Sequence, residues 1–486
     1  MSLHESLVEA LHLFPTALIG TARAPRSFAE LAVDAEEMSV VVEKAIRHPD
    51  ARILIALKNR ADYVPILLSI LAGGHLPILA DPALTQNEIG VLSAGCGIDY
   101  IVGDRTGENG TALGLHAQLW ATGRDATAPR PPTDPATEIC RLTSGSTRTP
   151  GCIEFSGTAV LNAARTWIGA SGTGRRDRIL CFAGLYNGLA FNTALLPALL
   201  TGAGLILPTG LPTAGNILRH IATVRPTIVT AFPAAYERLL AYALDDVPAD
   251  TRDALANIRL RLSSAAPLSE EVSEHVRRLS GPIADYYGVA ETGPITFHDK
   301  GGSGKSQGRL LPNVEVRSEP RGPGGGSVFC VHSTSMGTKY LNYPGEFERH
   351  LTPDGYYITS DTGAIVDGEL YIRGRTTPIL NIGGKKFSVE SVEHALRGHT
   401  RVTDCWVTQI QAPSGRDCVG AVIETEDGID PRELRRYLSG VIAPFKIPEV
   451  IVSVDRLPRG NTGKVRFAEA AAILTKEFDN QRSAVG

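Results

Sequence analysis

The sequence predicts an α/β fold: a large N-terminal domain of two α/β layers with a small distorted β-barrel, followed by a small, mobile α+β domain. The prediction rests on three observations. Apolar runs alternate with helical-period segments from about residue 38 to 300, short glycine-broken strands follow from about 305, and a compact α+β segment follows Arg375. We place the two domains at residues 1–375 and 376–486.

The first region is typical of parallel β-structure. Strands that are buried on both faces read as continuous apolar runs, and helices connect them. The segments YVPILLSILAG and FNTALLPALLTG have the helical period. The predicted strands are the apolar runs at residues 51–57, 76–80, 100–103, 178–184, 204–208 and 227–233.

The remaining segments favour antiparallel and mixed structure. VEVRS, SVFCVH and ELYIRG are short and alternating, and RGPGGG at 321–326 predicts a hairpin or exposed loop. After Arg375 the order reads strand, helix (VESVEHALRGH), strand (CWVTQI), strand (CVGAVIE), helix (PRELRRYLSGVI) and PEVIVSVDRLP.

Composition excludes several classes of protein. The chain has 486 residues, 43% of them hydrophobic, and a formal charge of −4, which argues against a nucleic-acid binder held by bulk electrostatics. Its seven cysteines form no C-x-x-C pair, so we expect neither disulfides nor structural zinc, and a reduced, cytoplasmic setting. The uncharged run from Tyr63 to Asp81 contains prolines and glycines, so it predicts a buried helix and strand rather than a membrane span.

The sharpest local motif is LTSGSTRTPG, residues 142–151. Small hydroxyl residues and glycines let backbone N–H and side-chain O–H groups wrap a phosphate chain, whereas by itself such a segment is more often a surface turn. GGSGKS at 301–306 resembles the end of a Walker loop, but Asp299 stands where that loop needs a glycine.

Five further segments accompany this motif in a fixed order. They are LSSAAPLS (262–269), DYYGVAETG (285–293), YYITSDTG (356–363), IRGRTTPILNIGGKKFSVESVE (372–393) and FKIPEVIVSVDRLPRGNTGK (445–464). Together the six segments resemble the adenylate-forming (AMP-binding) superfamily of acyl- and aryl-CoA ligases, luciferases and peptide-synthetase adenylation domains. The resemblance runs from about residue 38 to 470.

The resemblance implies an ATP site. Thr143, Ser144, Gly145, Ser146, Thr147 and Arg148 would bind the phosphates; Ala265, Ala266, Pro267, Asp285, Tyr286, Tyr287 and Gly288 would bind adenine. Tyr287 would stack on the ring and Asp285 would accept from its amine; without their neighbours the two tyrosines would read as half-buried strand residues. Asp361 and Arg375 would bind the ribose. Glu291 would hold Mg²⁺, because a hard carboxylate oxygen suits a hard cation.

The resemblance also implies a two-step reaction. A carboxylate attacks the α-phosphorus of ATP to give an acyl-adenylate, and a thiol then displaces AMP. Lys464 would bridge the carboxylate and the α-phosphate in the first step. The small domain would then rotate about a hinge at Thr377 and present Gly383 and Gly384, which line the thiol channel; either glycine could instead serve a tight turn.

Four positions depart from the family pattern. Arg148 and Gly151 replace a glycine and the lysine of the phosphate loop, so Arg148 supplies the missing cation or the loop has another shape. Ala290 replaces a threonine beside Glu291, and Thr377 replaces the usual hinge Asp or Lys. These departures leave adenylation as the prediction and leave the thiol acceptor open.

The sequence gives partial information about the acid substrate. Tyr186, Asn187, Gly188 and Gly293 are the predicted acid-pocket residues, and the small glycines would leave room for a ring. No acidic residue occurs between Arg178 and Arg219 to pair an α-ammonium, as amino-acid-activating relatives would require, so an α-amino acid is disfavoured. We expect an aromatic or bulky alicyclic acid rather than a long fatty acid.

The leading interpretation is an acid–thiol ligase that uses ATP, Mg²⁺ and coenzyme A and acts as a monomer or homodimer. One alternative is a stand-alone adenylation enzyme that loads a carrier-protein phosphopantetheine. The other is a catalytically silent family member that binds nucleotide or acyl ligand; Lys464, Glu291, Asp361 and Arg375 argue against that silence.

Overall fold

The computed structural model divides into two compact units. The first comprises Met1–Pro82, Ser93–Leu142 and Cys152–Thr376, and the second Ala83–Leu92, Thr143–Gly151 and Thr377–Gly486. Two short segments of the predicted large domain therefore group with the second unit. The structure describes residues 1–104, 110–114, 116–125, 128–143, 150–264, 268–301, 306–320, 327–375, 379–411, 416–458, 465 and 467–483.

Polar caps and glycines set the ends of many helices. Ser27 accepts from the N–H of Glu30 and the Glu30 carboxylate accepts from the N–H of Ser27, a capping box at the second helix. Gly172 ends the fifth helix in the left-handed conformation, at φ 63°. The α-helices are α1 Leu3–Leu13, α2 Phe28–Ala45, α3 Tyr63–Ala72, α4 Gln86–Cys96, α5 Gly157–Ser171, α6 Gly188–Ala190, α7 Leu196–Thr201, α8 Ala214–Val224, α9 Pro233–Glu237, α10 Ala249–Ala256, α11 Glu270–Leu279, α12 Val389–Arg397, α13 Pro431–Ser439 and α14 Phe467–Ser483.

The strands are short and numerous. They are β1 Leu18–Thr21, β2 Ala24–Ser27, β3 Arg52–Ala56, β4 Leu76–Leu79, β5 Tyr100–Gly103, β6 Thr111–Leu113, β7 Ala117–Ala121, β8 Thr137–Leu142, β9 Cys152–Ser156, β10 Arg178–Cys181, β11 Gly204–Ile206, β12 Ile228–Thr230, β13 Leu260–Ser264, β14 Ile283–Val289, β15 Gly293–His298, β16 Arg309–Leu310, β17 Val314–Pro320, β18 Ser327–Ser333, β19 Tyr357–Val366, β20 Glu369–Arg375, β21 Ile379–Ile382, β22 Lys385–Ser388, β23 Asp404–Gln411, β24 Asp417–Glu424 and β25 Val450–Val454.

The first unit contains two large sheets. One has seven strands in the order β6-β7-β5-β3-β4-β8-β9, with β5, β3, β4 and β8 parallel. The other has thirteen strands in the order β17-β18-β19-β20-β16-β15-β14-β13-β12-β10-β11-β1-β2. Its strands from β14 to β1 are parallel, and each predicted parallel strand is found in one of these two sheets.

The antiparallel strands β15 to β20 extend the larger sheet beyond β14 rather than forming a separate one. They surround their own hydrophobic core, which includes Tyr287, Ile295, Leu311, Phe329 and Leu370. These antiparallel strands correspond to the small barrel expected from the sequence. Strand β15 is hydrogen-bonded to β14, so they continue the sheet of the α/β layer.

In the second unit β23 pairs antiparallel with β24, and β24 pairs parallel with β25. Helices α12 and α13 pack against these strands around Phe387, Val392, Leu434 and Leu438. The helices and strands predicted after Arg375 are found in order. One element was not foreseen, a hairpin of β21 and β22 before α12.

Three expectations about excluded classes can be compared with the structure. All seven cysteines are free thiols and buried. The uncharged run at 63–81 forms α3 and β4, as predicted. Among the described residues, no helix has both the length and the apolar content needed to cross a membrane.

Candidate active site

Two predicted nucleotide-binding residues are joined directly. The Tyr287 hydroxyl on β14 donates a 2.6 Å hydrogen bond to Asp361 Oδ2 on β19, across 74 sequence positions. Asp361 is 1% exposed and Tyr287 7% exposed. The fold therefore brings the proposed adenine-binding and ribose-binding residues to one place.

The spacing of Asp361 and Arg375 is explained by a hairpin. Strands β19 and β20 are antiparallel, and Asp361 lies directly opposite Arg375 in the register. Asp367 and Gly368 form the turn with φ values of 52° and 78°, the left-handed pair of a type I′ turn. The hairpin register therefore brings the backbone positions of Asp361 and Arg375 next to each other.

The two tyrosines of β14 do not share a face, because neighbouring side chains of a strand alternate. Tyr286 lies in the main core, with its ring 5.4 Å from that of Trp167 and at 89° to it. Tyr287 lies in the antiparallel core instead. The prediction that both tyrosines bind adenine therefore needs correction, because the Tyr286 side chain packs in the main core instead. By the same alternation, Asp285 lies on the same face of the strand as Tyr287.

Gly288 and Gly293 allow a close approach of β14 and β15. The strand register shifts between Tyr287 and Gly288, and a Cβ on Gly288 would lie 2.7 Å from the Gly293 carbonyl oxygen. Gly293 has φ +75°, and its Cβ would lie 3.1 Å from that of Ser335. Gly293 is therefore needed for backbone geometry, and the expectation that it leaves room for a ring is not supported at this position.

Glu291 is held by a tyrosine that the sequence analysis did not identify. The Tyr340 hydroxyl donates a 2.5 Å hydrogen bond to Glu291 Oε1 and lies 3.4 Å from the Tyr357 hydroxyl. Burial raises the pKa of Tyr340 well above its ordinary value, and the charge of Glu291 raises it further. Tyr340 is therefore a neutral donor that fixes the orientation of the carboxylate.

Glu291 is the predicted magnesium ligand. Within the described ranges, no group of three acidic, histidine or cysteine side chains could hold a metal ion. One oriented carboxylate nevertheless fits Mg²⁺, which commonly takes its remaining ligands from phosphates and water.

Of the predicted acid-pocket residues, Tyr186 and Asn187 have structural partners. Burial raises the pKa of Tyr186 strongly, and the charge of Asp81, to which Tyr186 is hydrogen-bonded, raises it further. The Asn187 side chain caps α6 by accepting from the Leu189 N–H at 2.9 Å. Asp81 brings a carboxylate to this region from outside residues 178–219, where the sequence analysis had looked for one.

Gly188 lies beside a buried arginine that was not predicted. A Cβ on Gly188 would lie 3.6 Å from Arg141 Nη1 and, within the described part of the chain, would meet no other atom within 4 Å. Arg141 is on β8, is 6% exposed, and donates to Asn192 Oδ1 at 3.1 Å. The sequence did contain a signal for this residue: an arginine stands between Cys140 and Leu142 in the predicted strand, just before the LTSGST motif.

The described ends of the phosphate loop close on each other. The Thr143 N–H donates to the Gly151 carbonyl oxygen at 2.8 Å, and the Gly151 N–H donates to Thr143 Oγ1 at 2.8 Å. Several predicted site residues lie outside the described residues: Ser144, Gly145, Ser146, Thr147, Arg148, Ala265, Ala266, Pro267, Thr377 and Lys464. The Arg375 side chain is likewise outside them.

Gly383 and Gly384 form the turn between β21 and β22, with φ values of 62° and 86°. Ile382 and Lys385 are paired across it, so the turn is a two-residue hairpin of type I′. The loop therefore joins two strands rather than a strand to α12, and both glycines have a structural reason to be there.

Comparison with protein families matches residues 15–340 to AMP-binding enzyme and residues 391–464 to AMP-binding enzyme C-terminal domain. Acyl-CoA synthetase FUM10 of Gibberella moniliformis is 24% identical over 374 residues, covering 70% of this chain and 66% of that protein. Malonate–CoA ligase ACSF3 of Mus musculus is 30% identical over 285 residues, covering 50% and 48%. The matched region thus spans about half to two-thirds of these curated relatives.

Solved structures share the fold over nearly the whole chain. A double mutant of o-succinylbenzoate CoA synthetase from Bacillus subtilis has a TM-score of 0.80 at 20% identity, covering 96% of this chain and 98% of that one. Amide bond synthetase McbA from Marinactinospora thermotolerans also has a TM-score of 0.80, at 19% identity and 98% and 99% coverage. With the matches along the chain, these likenesses lead to one conclusion: the chain belongs to the AMP-binding enzyme family.

Proposed function

We propose that the protein activates a carboxylic acid with MgATP and transfers the acyl group to coenzyme A. The observation that carries the proposal is the 2.6 Å hydrogen bond between Tyr287 and Asp361, with Arg375 opposite Asp361 in the register. Tyr287 and Asp361, proposed for adenine and ribose, are thus in direct contact in the first unit, which supports the proposal.

The reaction balances in two steps. In the first, a carboxylate oxygen attacks the α-phosphorus, the bond to the bridging oxygen of pyrophosphate breaks, and pyrophosphate leaves. In the second, a thiol loses its proton and its sulfur attacks the acyl carbon, while AMP leaves with the electron pair. Adenylation is needed because a free carboxylate has a poor leaving group.

Each predicted residue has a proposed task. Tyr287 and Asp285 recognise adenine, Asp361 and Arg375 bind the ribose, and the segment from Thr143 to Arg148 binds the phosphates. Mg²⁺, when bound, neutralises phosphate charge next to Glu291. Tyr340 keeps the Glu291 carboxylate oriented toward that charge. Lys464 stabilises the charge that develops during the attack.

We further propose an aromatic or bulky alicyclic acid. The support is that Gly188, which has no side chain, lies beside Arg141, and that the rings of Phe155 and Phe191 flank that arginine. Two relatives are named for malonate and o-succinylbenzoate, acids that differ greatly in size, so the comparisons leave the acid open.

Coenzyme A is the proposed acceptor, with Gly383 and Gly384 lining its channel after rotation about Thr377. The domains at 1–375 and 376–486, a monomer or homodimer, and a cytoplasmic setting belong to the same proposal. Loading of a carrier-protein phosphopantetheine is the alternative for the second step.

Pyrophosphate exchange tests the first step. The protein is assayed for acid-dependent exchange against benzoates, cyclohexanecarboxylates and aliphatic acids, and then for thioester formation with coenzyme A or a phosphopantetheinylated carrier. Asp361→Asn should raise the ATP KM about tenfold or more, because a charged hydrogen bond contributes about 1.5–3 kcal/mol. Asp354→Asn is the matched control, because Asp354 is exposed and pairs with Arg317. Absence of exchange with every acid would overturn the proposed function.

A further inference from the structure

Arg141 is a buried cation with few partners. Its guanidinium has five N–H donors, and Asn192 Oδ1 is its single hydrogen-bond acceptor among the described residues. No carboxylate within the described ranges lies within ion-pairing distance of it. Burial lowers the pKa of Arg141 to about 10, so the group remains charged at neutral pH.

Each of the other two buried arginines that the structure describes in the first unit donates to at least two oxygen acceptors. Arg52 donates to the carbonyl oxygens of Cys96 and Pro131, each at 2.5 Å. Arg261, 6% exposed like Arg141, donates to Ser280 Oγ at 2.6 Å and to the Ile258 carbonyl oxygen at 2.5 Å. A buried charge is costly unless it is paired and hydrogen-bonded. Arg141 departs from this rule, so an acceptor is expected from elsewhere.

The surroundings of Arg141 fit a planar anion at the end of an apolar group. The guanidinium carbon lies 4.1 Å from the ring centre of Phe155 and 5.9 Å from that of Phe191. Such rings stabilise a cation through their faces and leave its edge for hydrogen bonds. A guanidinium edge matches a carboxylate with two parallel N–H···O bonds.

The local helix geometry holds this arrangement in place. Phe191 and Asn192 lie in a π-helical turn, Phe191–Leu195, between α6 and α7. Such turns are rare and are found frequently at functional sites. Asn192 is itself buried, 2% exposed, which restricts the amide that accepts from Arg141. One edge of the guanidinium is thereby positioned, and a Cβ on Gly188 would be in van der Waals contact with Nη1, at 3.6 Å.

We propose that Arg141 binds a second anionic group of the acid substrate, so that the preferred substrates are dicarboxylic acids. This inference rests on the proposed function. One carboxylate is adenylated, while the other forms a salt bridge with Arg141 beside Gly188. Arg141 is then a specificity-determining residue, and an acid with a neutral group at that end leaves its charge uncompensated.

The test compares each diacid with its monoamide in pyrophosphate exchange. Suitable pairs are glutarate, adipate, phthalate and homophthalate, each beside its monoamide, with benzoate and cyclohexanecarboxylate as simple acids. The wild-type protein should prefer at least one diacid over its monoamide by a hundredfold or more in kcat/KM. Arg141→Met should reduce that preference to within about threefold by losing the diacid rate alone. Arg261→Met, which removes an equally buried arginine that donates to Ser280 and Ile258, should keep the preference.

Gly188→Asp provides a second test that leaves Arg141 in place. The new carboxylate would start from a Cβ 3.6 Å from Nη1 and would occupy the anion site. An acidic residue in the first turn of a helix is also favourable. Gly188→Asp should therefore melt several degrees above Gly188→Asn, its neutral isostere, and should lose the diacid preference that Gly188→Asn retains in part.

The outcomes separate the two proposals. Exchange with simple acids but no diacid preference in the wild type would overturn the Arg141 inference and leave the proposed function standing. A diacid preference that survives Arg141→Met would also overturn the inference, because another group would then bind the second anion. Equal loss of both rates with a raised ATP KM would overturn it too, because it would place the cation against the nucleotide phosphates. Absence of exchange with every acid would overturn the proposed function. In that case the melting temperatures decide the Arg141 inference, which is also overturned if Gly188→Asp melts no higher than Gly188→Asn.

Discussion

The hydroxyl of Tyr287 and the carboxylate of Asp361 form a buried 2.6 Å hydrogen bond between β14 and β19. The bond orients Asp361 for the ribose hydroxyls that it is proposed to accept from. Tyr287→Phe keeps the ring and removes the donor. We expect a loss of about 1–3 kcal/mol in the free energy of unfolding and a three- to tenfold rise in ATP KM. Urea denaturation and initial rates of pyrophosphate exchange measure the two effects.

Tyr356→Phe is the matched control. Its hydroxyl donates to Glu315 Oε2 at the same distance, 2.6 Å, but at the exposed surface. Surface hydrogen bonds of this kind are largely exchanged for bonds to water, so neither stability nor ATP KM should change measurably. If the two variants behave alike, Tyr287 does not orient Asp361.

Tyr340 is expected to tune metal use through Glu291. Tyr340→Phe removes the 2.5 Å hydrogen bond that helps to orient the carboxylate. Residues that orient a metal ligand typically contribute about tenfold or more to affinity or activity. The Mg²⁺ concentration that gives half the maximal exchange rate should therefore rise about tenfold. Tyr371→Phe, which loses a 3.4 Å contact with Glu369, should leave this concentration unchanged; an unchanged Mg²⁺ requirement in Tyr340→Phe would contradict the proposed role.

Buried tyrosines predict a loss of stability at high pH. Burial raises the pKa of Tyr63, Tyr186, Tyr340 and Tyr357 above the ordinary value of 10. Above pH 10 the unfolded chain releases these phenolic protons and the native chain keeps them. The unfolded state then binds fewer protons, so the free energy of unfolding falls as pH rises, by about 1.4 kcal/mol per pH unit for each tyrosine.

Tyr63→Phe isolates one of these groups. Tyr63 is fully buried, and its hydroxyl has no hydrogen-bond partner among the described residues. The substitution should leave the free energy of unfolding at pH 8 unchanged or raise it, because a buried unsatisfied hydroxyl is removed. Between pH 10 and 11 the variant should lose about 1 kcal/mol less than the wild type in urea denaturation, because the unfolded tyrosine is half ionised at pH 10. Equal slopes would show that Tyr63 is accessible to hydroxide in the native state.

Local pattern predicted those features that depend on neighbouring residues. Apolar runs located the parallel strands, and the spacing of Asp361 and Arg375 followed from one hairpin. The partners of Glu291 and Arg141 could not be found in this way, because Tyr340 lies 49 residues from Glu291 and Asn192 lies 51 from Arg141. Such contacts depend on how the sheets pack, for which a single sequence carries no periodic signal.

Adjacent glycines are a second case in which the sequence pattern is ambiguous. A pair of adjacent glycines indicates a special backbone conformation or a close approach, and pattern cannot distinguish the two. The positive φ values at Gly383 and Gly384 identify a type I′ turn, so Gly384→Leu would strain the backbone whether or not a channel exists. A substitution that tests whether Gly384 lines the thiol channel therefore needs a side chain that tolerates the left-handed backbone region.

Asparagine at each position in turn provides that test, because it adopts positive φ more readily than other residues and Asn-Gly is the preferred type I′ pair. Gly383→Asn should keep both half-reactions, since a Cβ there meets nothing within 4 Å. Gly384→Asn should keep pyrophosphate exchange within about twofold, because a permissive turn substitution costs about 1 kcal/mol at most. Its thioester formation with coenzyme A should fall tenfold or more if Gly384 lines the path of the thiol. Parallel loss of both half-reactions, with a lowered melting temperature, would instead assign Gly384 to the turn alone, because strain in the hairpin cannot distinguish one half-reaction from the other.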